Sequence, residues 1–328
     1  MEAYIYGGGL GSRLLPFTKK LPKMLITIYG ISILEIQIRT LIQWGINDIT
    51  VLSNIQIDKF IADLKNKYHV NLSVVYVCSK KFDSWGKIRT KMFNGNVSII
   101  VNSDIILSPQ WGKCIQEHFK YGNDLTLVAY QGNLYGDGYE GQKLYIEKKN
   151  RKISNCSLNK DIFDEYVKLI GMSIIDNKII KELSIKSKNQ EDIWFTQIIP
   201  YAIKNYTTNF VIKNYYWRDI GTWKRRMEIH KMLEDLQEWS WMFRHIYTLK
   251  DKVFIHRDAI IGLNIKFNGI VFVDANTEIK NNCIIENCII GKNSKIESKC
   301  YLYNTQIMDS ILVKSGSIIK NMIIADDN

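Results

Sequence analysis

The sequence predicts an α/β chain in two parts, a helix-covered sheet followed by a parallel β-helix, and three observations carry that expectation. Up to about residue 215, short β-rich runs alternate with helical periods. After about residue 250 the helical stripe ends and apolar residues return six positions apart. Between the first strand and the first helix lies GGGLGSRLLPFTKKLPKMLITIYG, Gly7 to Gly30, whose glycines and prolines suit a loop better than either element.

AYIYG reads as the first strand. Leu34, Ile38, Leu41 and Ile42 share one face of ILEIQIRTLIQWG, and Gly45 suits that helix's C-terminal end. DITVLSN, a helix over IDKFIADLKNKY and the strand LSVVYV continue the alternation. VSIIVNSD reads as a strand, and Ser108 and Pro109 suit the cap and first turn of the helix in SPQWGKCIQEHFKYG. A doubly wound, parallel sheet is the economical winding of this order. DLTLVAYQ, KLYIEKKNRKI and KLIGMSIID read as β-excursions, so the second half of the sheet is expected to be mixed. The segment from Trp223 to about Lys250 has a helical pattern rich in Trp, Met and charge, and reads as a connector.

Beyond it, Ile255, Ile261, Phe267, Val273, Ile279 and Ile285 keep a six-residue period. After a one-residue slip the period resumes at Ile290, Ile296 and Leu302, and again at Val313 and Ile319. Hexapeptide repeats of this kind build a parallel β-helix, and two matched registers favour it over a run of ordinary antiparallel strands.

The totals narrow the class of protein. At 328 residues and 46% hydrophobic the chain can bury a sizeable core. MEAYIYGGG lacks the basic and apolar regions of a cleavable signal, and no apolar run reaches the ~20 residues of a spanning helix, so a soluble, cytoplasmic protein away from the membrane is expected. Six cysteines without CxxC spacing or nearby histidines predict reduced, buried thiols. The net charge of +11 comes from lysines spread along the chain with Asn and Ile, a compositional bias rather than a nucleic-acid footprint. Such a positive surround favours polyanionic small molecules such as nucleotides.

Glycine-rich turns after a first strand hold phosphates, because backbone N–H groups can approach an anion where no Cβ intervenes. GGGLGSR does not complete GxGxxG, since Ser12 occupies the last glycine position, and no GK[ST] follows to make a Walker loop. Arg13 and Lys23 flank a stretch that Pro16 and Pro22 keep from being one helix.

GGGLGSRLLPFTKKLPKML resembles the nucleotidyltransferase motif of the sugar-1-phosphate pyrophosphorylases, (A/G)GGxG(T/S)RLxPxTxxxPKxL, at nearly every defined position. VNSDII, IEKK and YYWRDIGTWKRRMEIHKML resemble later landmarks of that family in the right order, and the hexapeptide tail resembles its left-handed β-helix. The resemblance spans almost the whole chain. It implies a Rossmann-like mixed-sheet nucleotidyltransferase domain over 1–235, a helical connector over 236–252 and a left-handed β-helix over 253–328. It also implies an enzyme that joins a nucleoside triphosphate to a sugar 1-phosphate and releases pyrophosphate. The chain's length and short tail resemble the GDP-mannose branch, so GTP and mannose 1-phosphate are the first expectation. Glucose 1-phosphate with UTP, dTTP or ATP, heptose 1-phosphate with GTP, and a non-sugar phosphate with CTP stay open. A rival reading is a non-catalytic regulatory or scaffold subunit; such relatives lose the Arg, Lys or metal aspartates, whereas Arg13, Lys23, Asp104 and Asp219 are all present. Acyl transfer by the β-helix is disfavoured, because His256 is the one histidine of the repeats.

By the same resemblance Gly7, Gly8, Gly9 and Gly11 shape a loop around base, ribose and phosphates, and Ser12 adds a hydroxyl donor. Arg13, a planar multi-donor fork, suits the departing pyrophosphate, and Lys23, a point charge, suits the α-phosphate. Asp104 and Asp219 form a carboxylate pair for Mg²⁺. Glu147, Lys148 and Glu191 face the sugar phosphate. Where the family carries a stretch like LGTAxAL, FDSWGKIRTKMF keeps only Gly86, with Trp85 beside it as a surface on which a purine would stack. The glycine-lysine-proline turn expected near residue 30 is replaced by YGIS. The flat faces and Cys/Ile ladders of the tail suggest a homo-oligomer formed through the β-helix, or a tail that packs back on the catalytic domain.

Overall fold

The computed structural model describes residues 1–7, 11–14, 18, 21–28, 30–76, 93–130, 143–146, 165–183, 194–222, 225, 247–250 and 252–325. They fall into two compact units: Met1–Ser12, Pro22–Met24 and Ile33–Asp219 in one, and Arg13–Leu21, Leu25–Ser32 and Ile220–Asn328 in the other. Among the described residues no helix is long and apolar enough to cross a membrane.

In chain order the elements run from β1 (Glu2–Gly7) through β2 (Thr27–Ile28), β3 (Ile31–Ser32), α1 (Ile33–Gln43), β4 (Asp48–Ser53), α2 (Asp58–Tyr68) and β5 (Asn71–Tyr76) to β6 (Val97–Asn102) and β7 (Ile105–Leu107). α3 (Lys113–Lys120), β8 (Leu125–Tyr130), β9 (Lys143–Ile146), β10 (Glu165–Asp176), α4 (Asn177–Glu182), α5 (Ile199–Asn205), β11 (Thr208–Ile212) and β12 (Trp217–Asp219) complete the first part of the chain.

The first unit is an eight-stranded sheet in the order β11-β8-β10-β6-β1-β4-β5, with β9 on β10. β1 lies between β4 and β6, parallel to both, and β5 extends the parallel run beyond β4. β10 then runs antiparallel to β6 and β8, which makes the sheet mixed on that side, as the β-excursions predicted. Both faces are covered, so β8 is buried at every residue and β6 at its four central ones.

The local signals are met where they were read. α1 buries Leu34, Ile38 and Leu41, and it ends at Gly45, whose N–H reaches Ile42 O at 2.9 Å with φ +79°. Ser108 Oγ accepts from Gln110 N at 3.2 Å, capping a short turn, Pro109–Gly112, that leads into α3.

In the second unit three parallel sheets form a β-helix. One sheet stacks Val253–His256, Val271–Val273, Ile289–Ile290, Gln306–Ile307 and Ile323–Ile324; the other two have four strands each. Val253 sits beside Val271, an 18-residue coil, whereas Phe272 sits beside Ile289 and Ile289 beside Gln306, coils of 17. The one-residue slip in the sequence is that shortened coil. Val273, Ile279, Ile285, Ile290, Ile296, Leu302 and Val313 fill the interior, with Ile255, Ile261, Phe267 and Ile319 packed on it.

Small residues two positions earlier close the corners. Thr277 Oγ1, Ser294 Oγ and Cys283 Sγ each reach a backbone carbonyl of the next coil, Gly291 O at 2.8 Å, Met308 O at 2.8 Å and Glu297 O at 3.1 Å. Outside, asparagines with positive φ form ladders, as in Asn304 Nδ2 to Asn321 Oδ1 at 2.8 Å. Cys114, Cys283, Cys288 and Cys300 are free and buried, and burial pushes the thiols of Cys114 and Cys288 up to about 12. Cys78 and Cys156 lie outside the described residues.

One expectation is corrected. Tyr247–Lys250, read as the end of a helix, is a strand antiparallel to Val253–His256. It covers the otherwise open edge of the first coil, and pairing that edge outweighs a helical pattern in four residues. Of the expected connector over 236–252, residues 236–246 and 251 lie outside the described residues.

Candidate active site

The site is built at the carboxyl ends of the central strands, where open α/β sheets bind ligands. β1 and β6 run side by side with Tyr6 beside Asn102, and Ser103 N donates to Tyr6 O at 3.0 Å. The chain turns through Ser103 and Asp104 and continues as β7. β12 pairs antiparallel to β7 with Asp219 opposite Ile105. The two aspartates, distant in sequence, are thus one register step apart on neighbouring segments.

Lys23 Nζ forms an ion pair with Asp104 Oδ2, and the two side chains are 14% and 20% exposed. A pair so sheltered yet reachable is much less screened than one on the open surface. Its placement depends on Gly7: a Cβ there would lie 2.0 Å from Met24 Cε and 2.5 Å from Leu52 O. Met24, fully buried, fills that space and anchors the short turn Lys23–Leu25 from which the ammonium extends.

The other sequence-predicted residues divide. Gly11 has φ +64°, a left-handed conformation natural to glycine, and Arg13 is exposed on the turn Ser12–Leu14 and is counted with the second unit. Gly8, Gly9, the side chain of Ser12, Trp85, Gly86, Glu147, Lys148 and Glu191 lie outside the described residues. In the second unit Gly30 forms the turn of the β2–β3 hairpin with φ +70°, and its Cα lies against the buried Asp274 carboxylate of the β-helix, where a Cβ would come within 2.3 Å of Oδ2.

Two residues that the sequence reading passed over belong to the site's frame. Gly171 in β10 has φ +80° at a shift in register between Leu169 and Ser173, and a Cβ there would lie 2.7 Å from Asn102 Nδ2. A lone glycine inside an apolar strand run was the available signal. Gln37 of α1 is 3% exposed and donates from Nε2 to Asn102 O at 2.6 Å and Ile105 O at 2.8 Å.

The donor set fits a hard divalent cation. Asp104, 20% exposed at its side chain, and Asp219 stand on adjoining segments, and carboxylates are the ligand type by which Mg²⁺ is held, one or two from the protein with water and phosphate oxygens completing six positions. Among the described residues no group of three or more His, Cys, Asp or Glu gathers as a closed protein cage.

Comparison with known proteins agrees with this construction. Residues 2–135 match the family of nucleotidyl transferases, and residues 267–328 match the GMPPB C-terminal domain. A mannose-1-phosphate guanyltransferase of Hypocrea jecorina is 22% identical across 100% of this chain and 92% of its own length. A bifunctional sugar-1-phosphate nucleotidylyltransferase/acetyltransferase of Sulfurisphaera tokodaii is 25% identical across 98% of this chain and 83% of its own. A probable mannose-1-phosphate guanylyltransferase of Oryza sativa is 20% identical across 100% and 91%. The fold and both matches are similar to those of one class of protein, the sugar-1-phosphate nucleotidyltransferases with a C-terminal β-helix. Within that class the chain is similar from end to end to the mannose-1-phosphate guanyltransferases.

Proposed function

We propose that the protein joins GTP and mannose 1-phosphate to give GDP-mannose and pyrophosphate. The observation that carries the chemistry is the Lys23–Asp104 pair on the turn after β6, with Asp219 on the strand beside it. The end-to-end likeness to mannose-1-phosphate guanyltransferases supports the choice of base and sugar.

A phosphate oxygen of the sugar phosphate attacks the α-phosphorus; that P–O bond forms as the bond to the β-phosphate breaks, and pyrophosphate leaves with the electron pair. Such transfers need alignment and charge neutralisation. Lys23 exchanges the Asp104 carboxylate for the α-phosphate and holds the charge that grows on it. Arg13 takes the departing pyrophosphate, and Gly7, Gly8, Gly9, Gly11 and Ser12 wrap the nucleotide. Trp85 and Gly86 meet the base, and Glu147, Lys148 and Glu191 the sugar phosphate. Asp104 and Asp219 hold Mg²⁺, which when bound neutralises phosphate charge. We further propose a cytoplasmic homo-oligomer, with the outward column Ile284, Tyr301 and Ile318 of one β-helix sheet as the contact; Ile318 is 71% exposed.

A matrix of nucleoside triphosphates against sugar 1-phosphates with Mg²⁺, read by pyrophosphate release, tests this. Turnover is expected to be highest with GTP and mannose 1-phosphate. Turnover with another pair only would refute the substrate assignment, and none with any pair would point to a non-catalytic subunit.

A further inference from the structure

We propose that Gln37 is a positioning residue for the carboxylate pair: its amide fixes where Asp104 and Asp219 stand relative to each other, and so sets how readily the site takes a divalent cation. This rests on the reading of those aspartates given above.

α1 buries an almost wholly apolar face, Ile33, Leu34, Ile36, Ile38 and Leu41, and Gln37 lies within it. Its two Nε2 hydrogens go to Asn102 O and Ile105 O, the carbonyls that bracket Ser103 and Asp104. Both partners accept, so chemistry fixes which end of the amide faces the turn. Among the described residues Oε1 is then left buried with no hydrogen-bond partner. An orphaned buried carbonyl costs stability, and a leucine or methionine would pack α1 without that cost. What glutamine adds at this position is the pair of donors.

Those donors act on both carboxylates. Asn102 ends β6 and Ile105 begins β7, so one amide sets the width of the turn that carries Asp104. Ile105 is also the residue opposite Asp219, so the same amide fixes the segment on which β12 is registered. Partners of this outer kind tune metal affinity about 10–100-fold.

The test compares wild type with Gln37→Met, similar in shape without donors, and Gln37→Asn, which keeps an amide one methylene short. Hydrogen exchange on the 97–107 segment reads the turn directly, since Ser103 N–H is bonded to Tyr6 O. Gln37→Met should exchange there at least about tenfold faster and need about tenfold more Mg²⁺ for half-maximal turnover, with a smaller change in the KM for sugar phosphate. Gln37→Asn should fall between, and it decides the matter should the Met variant fail to fold. Mn²⁺ binding by electron paramagnetic resonance gives the metal readout without turnover. If wild type is inert across the substrate matrix, the functional reading fails while Mn²⁺ affinity still judges Gln37. Folded variants with wild-type exchange, or with faster exchange and unchanged metal requirement and Mn²⁺ affinity, would overturn the proposal.

Discussion

Alanine at Gly171 adds one methyl group and should disturb the site from β10, the strand beside β6. Its φ of +80° is costly for any residue with a Cβ, by about 1–2 kcal/mol. The new Cβ would also lie 2.7 Å from Asn102 Nδ2, 3.0 Å from its Cγ and 3.1 Å from its Cβ, so the side chain must move. Overpacking of this kind adds about 1–3 kcal/mol. Gly45 separates the two effects: its φ is +79°, and among the described residues nothing lies within 4 Å of its absent Cβ. Gly45→Ala should therefore lose only the backbone part. In a domain this size each kcal/mol lowers the melting temperature by about 2–4 °C, so calorimetry should find Gly171→Ala melting about 2–12 °C below Gly45→Ala. The rate should separate the two variants further, because Asn102 stands two residues before Asp104 and a 1 Å misplacement can cost about 10²-fold. Equal melting temperatures and undiminished turnover in Gly171→Ala would refute this account of the β10 bulge.

Other outcomes follow from the same geometry. Gly30→Ala should destabilise more than Gly316→Ala: both have φ near +70°, but only at Gly30 would the Cβ strike the buried Asp274 carboxylate, and equal melting temperatures would count against that packing. His118 is 1% exposed with Nδ1 2.9 Å from Thr126 Oγ1, and burial holds its pKa below the ordinary 6.5 despite the pull of Asp176 and Asp124. The folded state thus favours the neutral ring, and its contribution is whole above pH 6.5 and lost as pH falls through the lowered value. Thermal melts between pH 7 and pH 5 should fall more steeply for wild type than for His118→Gln; identical slopes would contradict the assignment.

The sequence made some of this legible and hid the rest for physical reasons. Ile279, Ile285, Ile290 and Ile296 declared the β-helix because a coil repeats the same inward position, and even its shortened corner registered as a slip. Asp104 and Asp219 could be paired through motif resemblance, and the β7–β12 register supplies the geometry that brings their segments together. The Lys23–Asp104 contact spans 81 positions, and no local pattern encodes such a distance. Gln37 was hidden differently, since one polar residue on an apolar face reads as tolerated noise until both of its acceptors are known. Tyr247–Lys250 took its strand form from a neighbouring edge rather than its own pattern.

Pyrophosphate release from GTP and mannose 1-phosphate with Mg²⁺, measured for wild type, Asp104→Asn and Asp219→Asn, tests the central claim most directly. The account predicts turnover by wild type and a loss of about 10²–10³ in each variant, with melting temperatures little changed. Either variant working at near the wild-type rate would contradict it.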